Sequence, residues 1–317
     1  MSAAGPPAIG RACRVHRFGP PEVIVVEDIA PPAPGAGDVL VRVKAAGVGP
    51  WDAWVRSGRS ALPQPLPLTP GADLAGVVVA VGPGVTSVAP GDAVFGVTNA
   101  RFTGSHADYA VASAAMIARQ PATLADVDAA SVPVVAVTAW QALFERAKVV
   151  CGQTVLVHGA AGSVGAYAVQ LAHGAGVRVV AMAGQRDLTY VRGLGADEVI
   201  DHRATRFEDV VHGVDAVIDL VGGETQARSF AVLRPGGMLI SAVSQPDQTR
   251  AAEQGVTAHF FLVDVKSAIL ARLADMIVRG VLATSVGAIL PLASAREAHE
   301  MLEGTRPRPR GRIVLTT

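Results

Sequence analysis

The stretch Thr154-Val-Leu-Val-His-Gly-Ala-Ala-Gly-Ser-Val-Gly165 predicts a strand, a glycine-rich turn and the start of a helix. A helix that begins after such a turn directs backbone N–H groups and its positive end toward one point, which suits a pyrophosphate. The pattern reads Ala-x-Gly-x-x-Gly, and the small residues at 160, 162 and 165 allow close backbone approach. The alternative is a tight strand–helix turn that binds nothing. The strand before the turn and the periodic helix after it favour the nucleotide site.

Composition indicates a folded globular chain. Its 317 residues are 50% hydrophobic and 17% charged, with a formal net charge of +0. These values exclude disorder and offer no broad basic surface for nucleic acid or a membrane. The two cysteines, Cys13 and Cys151, lie far apart, so we expect neither a disulfide framework nor a cysteine metal site. The N-terminus lacks a signal-peptide pattern, and apolar runs such as 132–137 are too short to cross a bilayer. We therefore expect a cytoplasmic protein.

The two ends of the chain share one sequence pattern, which differs from that of the middle. Residues 11 to about 127 carry short apolar runs, such as 39–43 and 77–81, broken by Gly and Pro, which is typical of a barrel-like or sandwich-like β domain. Residues 45–56 predict a loop that leads into a short helix. The segment 126–147 predicts a helix broken at Pro133. The tail predicts strands at 286–291 and 311–316 around a helix at 294–303, so we expect one domain built from both chain ends.

Strands and helices alternate from residue 154 onward. The strands are predicted at 154–158, 177–183, 198–201, 214–221, 237–243 and 257–262, and the helices at 164–175, 188–194, 225–233 and 266–279. Four of the strands are nearly continuous apolar runs, which is typical of parallel strands buried on both faces. We predict an α/β fold with a doubly wound parallel sheet at 128–283, and a β-rich substrate domain from 1–127 and 284–317.

The residues after the second predicted strand bear on the choice of nucleotide. An NAD enzyme usually has an acid at this strand end to bind the ribose 2′-hydroxyl. Here Gly184 and Arg186 follow the strand, and the arginine could bind a 2′-phosphate. We therefore predict NADPH as the cofactor. Asp187 lies just beyond and is interpreted as the N-cap of the next helix. Arg186 as a solvated surface charge is the alternative.

A set of further motifs resembles the medium-chain dehydrogenase/reductase superfamily over essentially the whole chain. They are Pro70-Gly71-Ala-Asp73-Leu-Ala-Gly76, Val81-Gly-Pro-Gly84, Gly91-Asp-Ala-Val94, Thr138-Ala-Trp140, Gly195-Ala-Asp197 and Gly311-Arg-Ile-Val-Leu315. Within it the chain is similar to the zinc-free, zeta-crystallin-like quinone oxidoreductases. Zinc-dependent members have Gly-His-Glu where this chain has Gly71-Ala72-Asp73, and a Cys where it has Gly49. The resemblance implies a Rossmann domain, a GroES-like domain and no metal ligands.

The resemblance also assigns cofactor residues. It implies that the pyrophosphate is held by Ala160, Ala161, Gly162, Ser163, Val164 and Gly165. Gly184, Arg186 and His202 are expected near the adenosine, with a solvated loop histidine as the alternative for His202. The nicotinamide half is expected beside Leu220, Val221, Gly222, Ala242, Val243, Ser244, Phe261, Leu262 and Val263. Thr138 is expected to face the nicotinamide as a candidate catalytic hydroxyl that supports a developing oxyanion, with an ordinary helix threonine as the alternative. Arg310 is expected to approach the cofactor or to be solvated. His158 is expected to be a packed core histidine.

One departure from the branch concerns the substrate pocket. The branch commonly has Asn at the position of Gly49, and Trp51 and Trp54 follow as candidate walls of an apolar pocket. Asp52 is a candidate catalytic group, or alternatively a helix cap. The expected function is an NADPH-dependent, zinc-independent reductase of a quinone or an α,β-unsaturated carbonyl. The alternatives are an enoyl or tailoring reductase and a non-catalytic NADPH-binding protein. The resemblance implies a homodimer with a small-molecule substrate, and we expect no nucleic-acid or membrane partner.

Overall fold

The computed structural model describes residues 9–317, which divide into two compact units. One unit contains residues 9–134 together with Val265–Thr317, and the other contains Val135–Asp264. We expected boundaries after residues 127 and 283. The first eight residues of our predicted substrate domain lie outside the described residues.

The first unit begins as the Gly- and Pro-broken sequence predicts, with short strands. Its first elements are β1 (Gly10–Val15), β2 (Ile24–Ile29), β3 (Asp38–Val48), α1 (Pro50–Ser57), β4 (Asp73–Val81), β5 (Ala93–Val97), β6 (Tyr109–Ser113), β7 (Ile117–Arg119) and α2 (Asp126–Ala130). The predicted loop over 45–56 is wrong at its start, because residues 45–48 continue β3. Ala45 and Ala46 are fully buried there and pair with β4. Their long-range partners were not visible in the local pattern.

The second unit contains α3 (Pro133–Trp140), which begins at the boundary, and a π-helical turn at Gln141–Arg146. Its remaining elements are β8 (Thr154–Val157), α4 (Ser163–Gly174), β9 (Arg178–Ala183), α5 (Leu188–Gly193), β10 (Glu198–Asp201), β11 (Val214–Asp219), α6 (Gly223–Ser229), β12 (Leu233–Ser241), α7 (Gln248–Glu253) and β13 (Thr257–Phe260). The six strands are parallel and lie in the order β10-β9-β8-β11-β12-β13. This order confirms the doubly wound Rossmann sheet.

The chain end returns to the first unit with α8 (Ser267–Val278), β14 (Val286–Pro291), α9 (Ala295–Leu302) and β15 (Arg312–Thr316). β15 pairs antiparallel with β3, with Ile313 opposite Val48, and the sheet order is β14-β15-β3-β4-β5-β7 with β6 also on β3. A buried apolar cluster joins Cys13 and Val15 to Leu292 and Ile313. The two chain ends thus share one sheet and one core, as the sequence predicts.

Candidate functional site

The turn between β8 and α4 is built from backbone contacts that only glycine permits. Gly159 has φ 65°, in the left-handed region. A Cβ on Gly165 would lie 2.7 Å from Cα of Ala160 and closer still to the carbonyl oxygen of Gly159. Gly162 is the N-cap residue of α4 and provides no side-chain cap. The first-turn amides of α4 therefore remain available to an anion at the positive helix end.

The backbone amides of this turn differ in whether they already have a hydrogen-bond acceptor. The Ala160 amide donates to Met182 O at 3.1 Å, and Ala160 is fully buried. The Gly162 amide donates to Gly159 O at 2.9 Å. Ala160 and Gly162 therefore shape the turn, whereas Ser163, Val164 and Gly165 occupy the first turn of α4, where N–H groups have no intrahelical acceptor. Such a helix start fits a pyrophosphate.

A cavity of about 530 Å³ opens beside this turn, at the carboxyl ends of β8 to β11. Its volume suits a bound small molecule. The structure brings together there six of the residues that the sequence assigned to the cofactor, namely Ala161, Gly162, Gly184, His202, Leu220 and Val221. Ligands of doubly wound sheets bind at this edge, next to the strand where the order reverses.

The far end of the cavity, beyond β9 and β10, carries arginines that the sequence reasoning missed. His202 lies close to Gly184, because a Cβ on that glycine would be 3.6 Å from His202 Nε2. Arg203 and Arg206 line the cavity beside it, whereas the exposed Arg186 is not among the lining residues. The signal for Arg203 was its position next to His202, after β10 rather than after β9.

Only one of the cavity's three arginines lacks an acidic partner. Arg206 and Arg228 both bind Glu208, with N–O distances of 2.9 Å and 3.0 Å, and Arg228 also lies over the Phe207 ring. The Arg203 guanidinium forms no ion pair within residues 9–317. An exposed guanidinium at a cavity wall is a ready partner for a phosphate.

Asp187 also lines the cavity. It occupies the N-cap position of α5, as predicted, but its side chain makes no hydrogen bond to the helix amides. Gly184, three residues earlier in the chain, lines the same cavity. An acid at this place would accept a hydrogen bond from a ribose hydroxyl and repel a 2′-phosphate.

The remaining residues assigned to the nicotinamide half fall into two groups. Gly222 follows β11, and Ala242, Val243 and Ser244 follow β12, so their loops lie beside each other at the carboxyl edge. Phe261 and Leu262 instead line a separate cavity of about 450 Å³, where Arg146 lies 5.6 Å from the Phe261 ring centroid. Val263 follows them in a partly buried position. The structure therefore does not bring this last segment into the cavity beside the glycine turn.

His158, which directly precedes the glycine turn, is buried, as predicted, and it is also one of the residues that line the cavity. It is 1% exposed, its Nε2 atom lies 2.8 Å from Ser229 Oγ, and its ring packs edge-on against Phe207. Burial lowers the pKa of His158 to about 4. Thr138, on α3, is 7% exposed, and Arg310 is exposed in the first unit. The cofactor roles of Thr138 and Arg310 stay predictions.

In the first unit, Trp51 occupies the space that a side chain at position 49 would need. A Cβ on Gly49 would lie 2.6 Å from Cε2 of Trp51 and closer still to the outer ring atoms. The Arg312 guanidinium carbon lies 4.9 Å from the Trp51 ring, and Arg312 Nη2 donates to Asp73 Oδ2 at 2.6 Å. Gly49 and Trp51 are thus sterically coupled, and Trp54 is 47% exposed nearby in the sequence.

Asp52 has the structure of a helix cap. Its Oδ2 atom accepts the amide of Gly49, the N-cap residue of α1, at 2.7 Å, and the side chain is fully buried. Burial raises the pKa of Asp52 to about 8, and Asp73 adds to the rise while Arg312 opposes it. The hydrogen bond to the Gly49 amide agrees with the capping alternative, and the catalytic role of Asp52 stays a prediction.

Asp73 and Arg312 form a buried ion pair that the sequence reasoning did not identify. They are 0% and 3% exposed, and Asp73 Oδ1 also accepts the Val134 amide at 2.8 Å. Burial raises the pKa of Asp73 to about 6, against the opposing effect of Arg312. The pair joins β4 to β15 and so ties the two chain ends together. Asp73 stands in the motif where zinc-dependent enzymes have Glu, which was the available signal.

Comparisons with known proteins agree with this architecture. A model of the alcohol dehydrogenase GroES-like domain matches residues 35–122, and a model described as zinc-binding dehydrogenase matches residues 194–315. Human quinone oxidoreductase is 34% identical over 307 residues, covering 92% of this chain and 93% of that protein. The chain belongs to the quinone oxidoreductase branch of the medium-chain dehydrogenase/reductase superfamily. It is an oxidoreductase of the pyridine-nucleotide type.

Solved quinone oxidoreductases share the fold. The enzyme from Coxiella burnetii has a TM-score of 0.90 and 30% identity, covering 98% of this chain and 99% of its own. A mycobacterial protein solved in complex with NADPH has a TM-score of 0.86 and 32% identity, covering 97% of this chain and 100% of its own. Within residues 9–317 of this quinone oxidoreductase family member, no helix is long and apolar enough to span a bilayer.

Proposed function

We propose that this chain is an NADPH-dependent, zinc-independent reductase that transfers hydride to a quinone or an α,β-unsaturated carbonyl. The observation that carries the proposal is the uncapped start of α4 beside a cavity lined by Gly184, His202 and Arg203. The helix start suits the pyrophosphate and the arginine suits a 2′-phosphate. When bound, reduced nicotinamide supplies a hydride, and the acceptor completes its reduction with a proton from solvent.

We propose NADPH rather than NADH because the attraction of Arg203 for a 2′-phosphate should exceed the repulsion from Asp187. Arg203→Ala should weaken NADPH binding about tenfold or more, the value of a charge-assisted hydrogen bond, and change NADH binding less than about twofold. Calorimetric titration of both nucleotides measures this, with Arg186→Ala as the comparison, because Arg186 was the sequence-based candidate. Equal losses for both nucleotides would remove the phosphate role of Arg203. A wild-type preference for NADH would assign the ribose to Asp187 instead.

Zinc independence is supported by the residue types at the positions that hold zinc in relatives. Gly49 and Ala72 have no ligand atoms in their side chains, and a catalytic zinc needs three protein ligands. In the part of the chain that the structure describes, no three His, Cys, Asp or Glu side chains form a group suited to a metal ion. We expect full activity after dialysis against a chelator. Loss of activity that added zinc restores would contradict the proposal.

Quinones and enones are proposed as acceptors because hydride addition to them places charge on an oxygen through conjugation. A plain aldehyde has no such delocalisation and depends more on an electrophilic partner. The protein's task is then mainly alignment of donor and acceptor, and the Thr138 hydroxyl is proposed to stabilise the developing oxyanion. The test follows loss of reduced-nicotinamide absorbance with a quinone, an enone and an aldehyde in parallel.

The outcomes of this assay separate the candidate functions. Turnover of quinone or enone with little turnover of aldehyde supports the proposal. An enoyl thioester is added as a fourth acceptor, and turnover confined to it would identify an enoyl or tailoring reductase. Tight NADPH binding without turnover of any acceptor would identify a non-catalytic NADPH-binding protein. We also propose a homodimer formed through an edge of the parallel sheet, where β13 is one edge strand, and light scattering measures the mass.

A further inference from the structure

A buried carboxylate lies directly behind the two loops at the carboxyl ends of β11 and β12. Asp219 ends β11 and is fully buried. Its charge is met by hydrogen bonds, since it forms no ion pair within the described part of the chain. Oδ1 accepts the amides of Val221 and Gly222 at 3.0 Å and 2.8 Å, and Oδ2 accepts Gln226 Nε2 and Ser241 Oγ at 2.9 Å and 2.8 Å. Such complete satisfaction is what a buried charge requires.

The same carboxylate controls the second loop through Ser241. Asp219 and Ser241 are register partners in adjacent strands. Because the Ser241 hydroxyl proton goes to Asp219, its lone pairs accept the amides of Val243 and Ser244, both at 3.2 Å. The second N–H of Gln226 Nε2 is shared between Ser244 O and Oγ, at 3.1 Å each. One carboxylate therefore fixes the amide directions of both loops.

Each of these loops carries an exposed apolar side chain. Val221 and Val243 are 51% and 42% exposed, although each lies two residues after a buried strand end. Val221 also lines the cavity beside the glycine turn. β11 and β12 lie on the side of β8 away from β9 and β10. In a doubly wound sheet, the half of a dinucleotide beyond the pyrophosphate lies on that side.

We propose that Asp219 is a positioning residue, which presents the loops 220–222 and 242–244 to the nicotinamide half of the dinucleotide. This inference rests on the proposed cofactor. It predicts that weakening the Asp219 network lowers affinity for the nicotinamide half alone, because the glycine turn and the adenosine end of the cavity make no hydrogen bond to Asp219 or Ser241.

The sharpest test compares two buried serines of the same unit. Ser241→Ala removes the hydroxyl between Asp219 and the second loop. Ser229→Ala is the matched control: Ser229 is also fully buried, its hydroxyl donates to Thr225 O at 2.7 Å and lies 2.8 Å from His158 Nε2, and it makes no hydrogen bond to Asp219 or Ser241. Calorimetry measures binding of NADPH and of 2′,5′-ADP, which contains only the adenosine half with its 2′-phosphate. Denaturation curves confirm that each variant is folded.

We expect Ser241→Ala to weaken NADPH binding about tenfold, because a buried hydrogen-bond network loses one member. The affinity for 2′,5′-ADP should change less than about twofold. Ser229→Ala should leave the ratio of the two affinities unchanged. Asp219→Asn should lower the ratio of NADPH affinity to 2′,5′-ADP affinity further than Ser241→Ala does. Equal losses for both ligands, or no loss in Ser241→Ala, would overturn the positioning role. If wild-type protein binds neither ligand, the proposed cofactor fails instead, and the two failures are thereby distinguished.

Discussion

Replacement of Gly165 by alanine tests whether the glycine turn is the pyrophosphate site. The new Cβ would lie 2.7 Å from Cα of Ala160, inside the 3.0 Å that Cβ atoms essentially never cross, and it would be closer still to the Gly159 carbonyl oxygen. Both obstacles are backbone atoms, so relief requires the start of α4 or the turn itself to move. Overpacking of this kind costs about 1–3 kcal/mol.

The displacement should affect binding more specifically than stability. A shift of the α4 start moves the first-turn amides away from the phosphate, and we expect NADPH affinity to fall about tenfold or more, which corresponds to about 1.4 kcal/mol or more. Chemical denaturation measures the stability, and calorimetric titration measures the affinity. Gly193→Ala is the matched control, because no atom lies within 4 Å of its new Cβ at the end of α5.

The control should be neutral or slightly stabilising, because alanine favours a helix by up to about 1 kcal/mol over glycine. Unchanged NADPH affinity in Gly165→Ala would refute the assignment of the turn to the pyrophosphate, even if stability falls. Unchanged stability would refute the steric reasoning itself.

Two further predictions concern the first unit. Gly49→Asn should lower the free energy of unfolding by about 1–3 kcal/mol, because the new side chain meets the Trp51 ring. Combining it with Trp51→Val should recover part of that stability. Additive effects in denaturation curves would show that the two positions are not coupled. Asp52→Asn tests the buried cap through pH. The folded pKa of about 8 lies above the unfolded value of about 3.9, so the folded state holds the proton more tightly and wild-type stability declines as pH rises between these values. Asparagine has no such proton, so the stability advantage of wild type over the variant should shrink by at least about 1.4 kcal/mol, the value of one pKa unit, between about pH 5 and about pH 9. Parallel stability curves for the two proteins would contradict the raised pKa.

Local patterns predicted the elements well where the residues that matter are neighbours in the chain. The strand at 198–201 and the strand at 286–291 have the predicted bounds, and the glycine turn lies between a strand and a helix as expected. The loop predicted over 45–48 was wrong because those residues pair with β4 and with β15, more than 260 residues later in the case of Val48 and Ile313. A short-range pattern carries no signal for such a partner.

At the candidate site, too, local patterns located some residues and missed others. The sequence assigned the glycine turn, Gly184 and His202 to the cofactor because each follows a recognisable strand, and the structure places residues of all three at one cavity. It favoured Arg186, after β9, as the arginine for a 2′-phosphate, whereas Arg203, after β10, lines the cavity and is the arginine that we propose for this role. β9 and β10 are adjacent parallel strands that end at the same edge of the sheet, so the loop after β10 can reach the same ligand as the loop after β9.

The sequence by itself determined the doubly wound sheet, the return of the chain end to the first domain and the location of the glycine turn, because hydrophobic periodicity and turn residues act over a few positions. Only the tertiary structure decided which amides of that turn are already bonded, that Trp51 fills the space beside Gly49, and that Asp219 joins two loops. Those features depend on close approach between atoms that are distant along the chain, and the packing of the whole unit sets these distances.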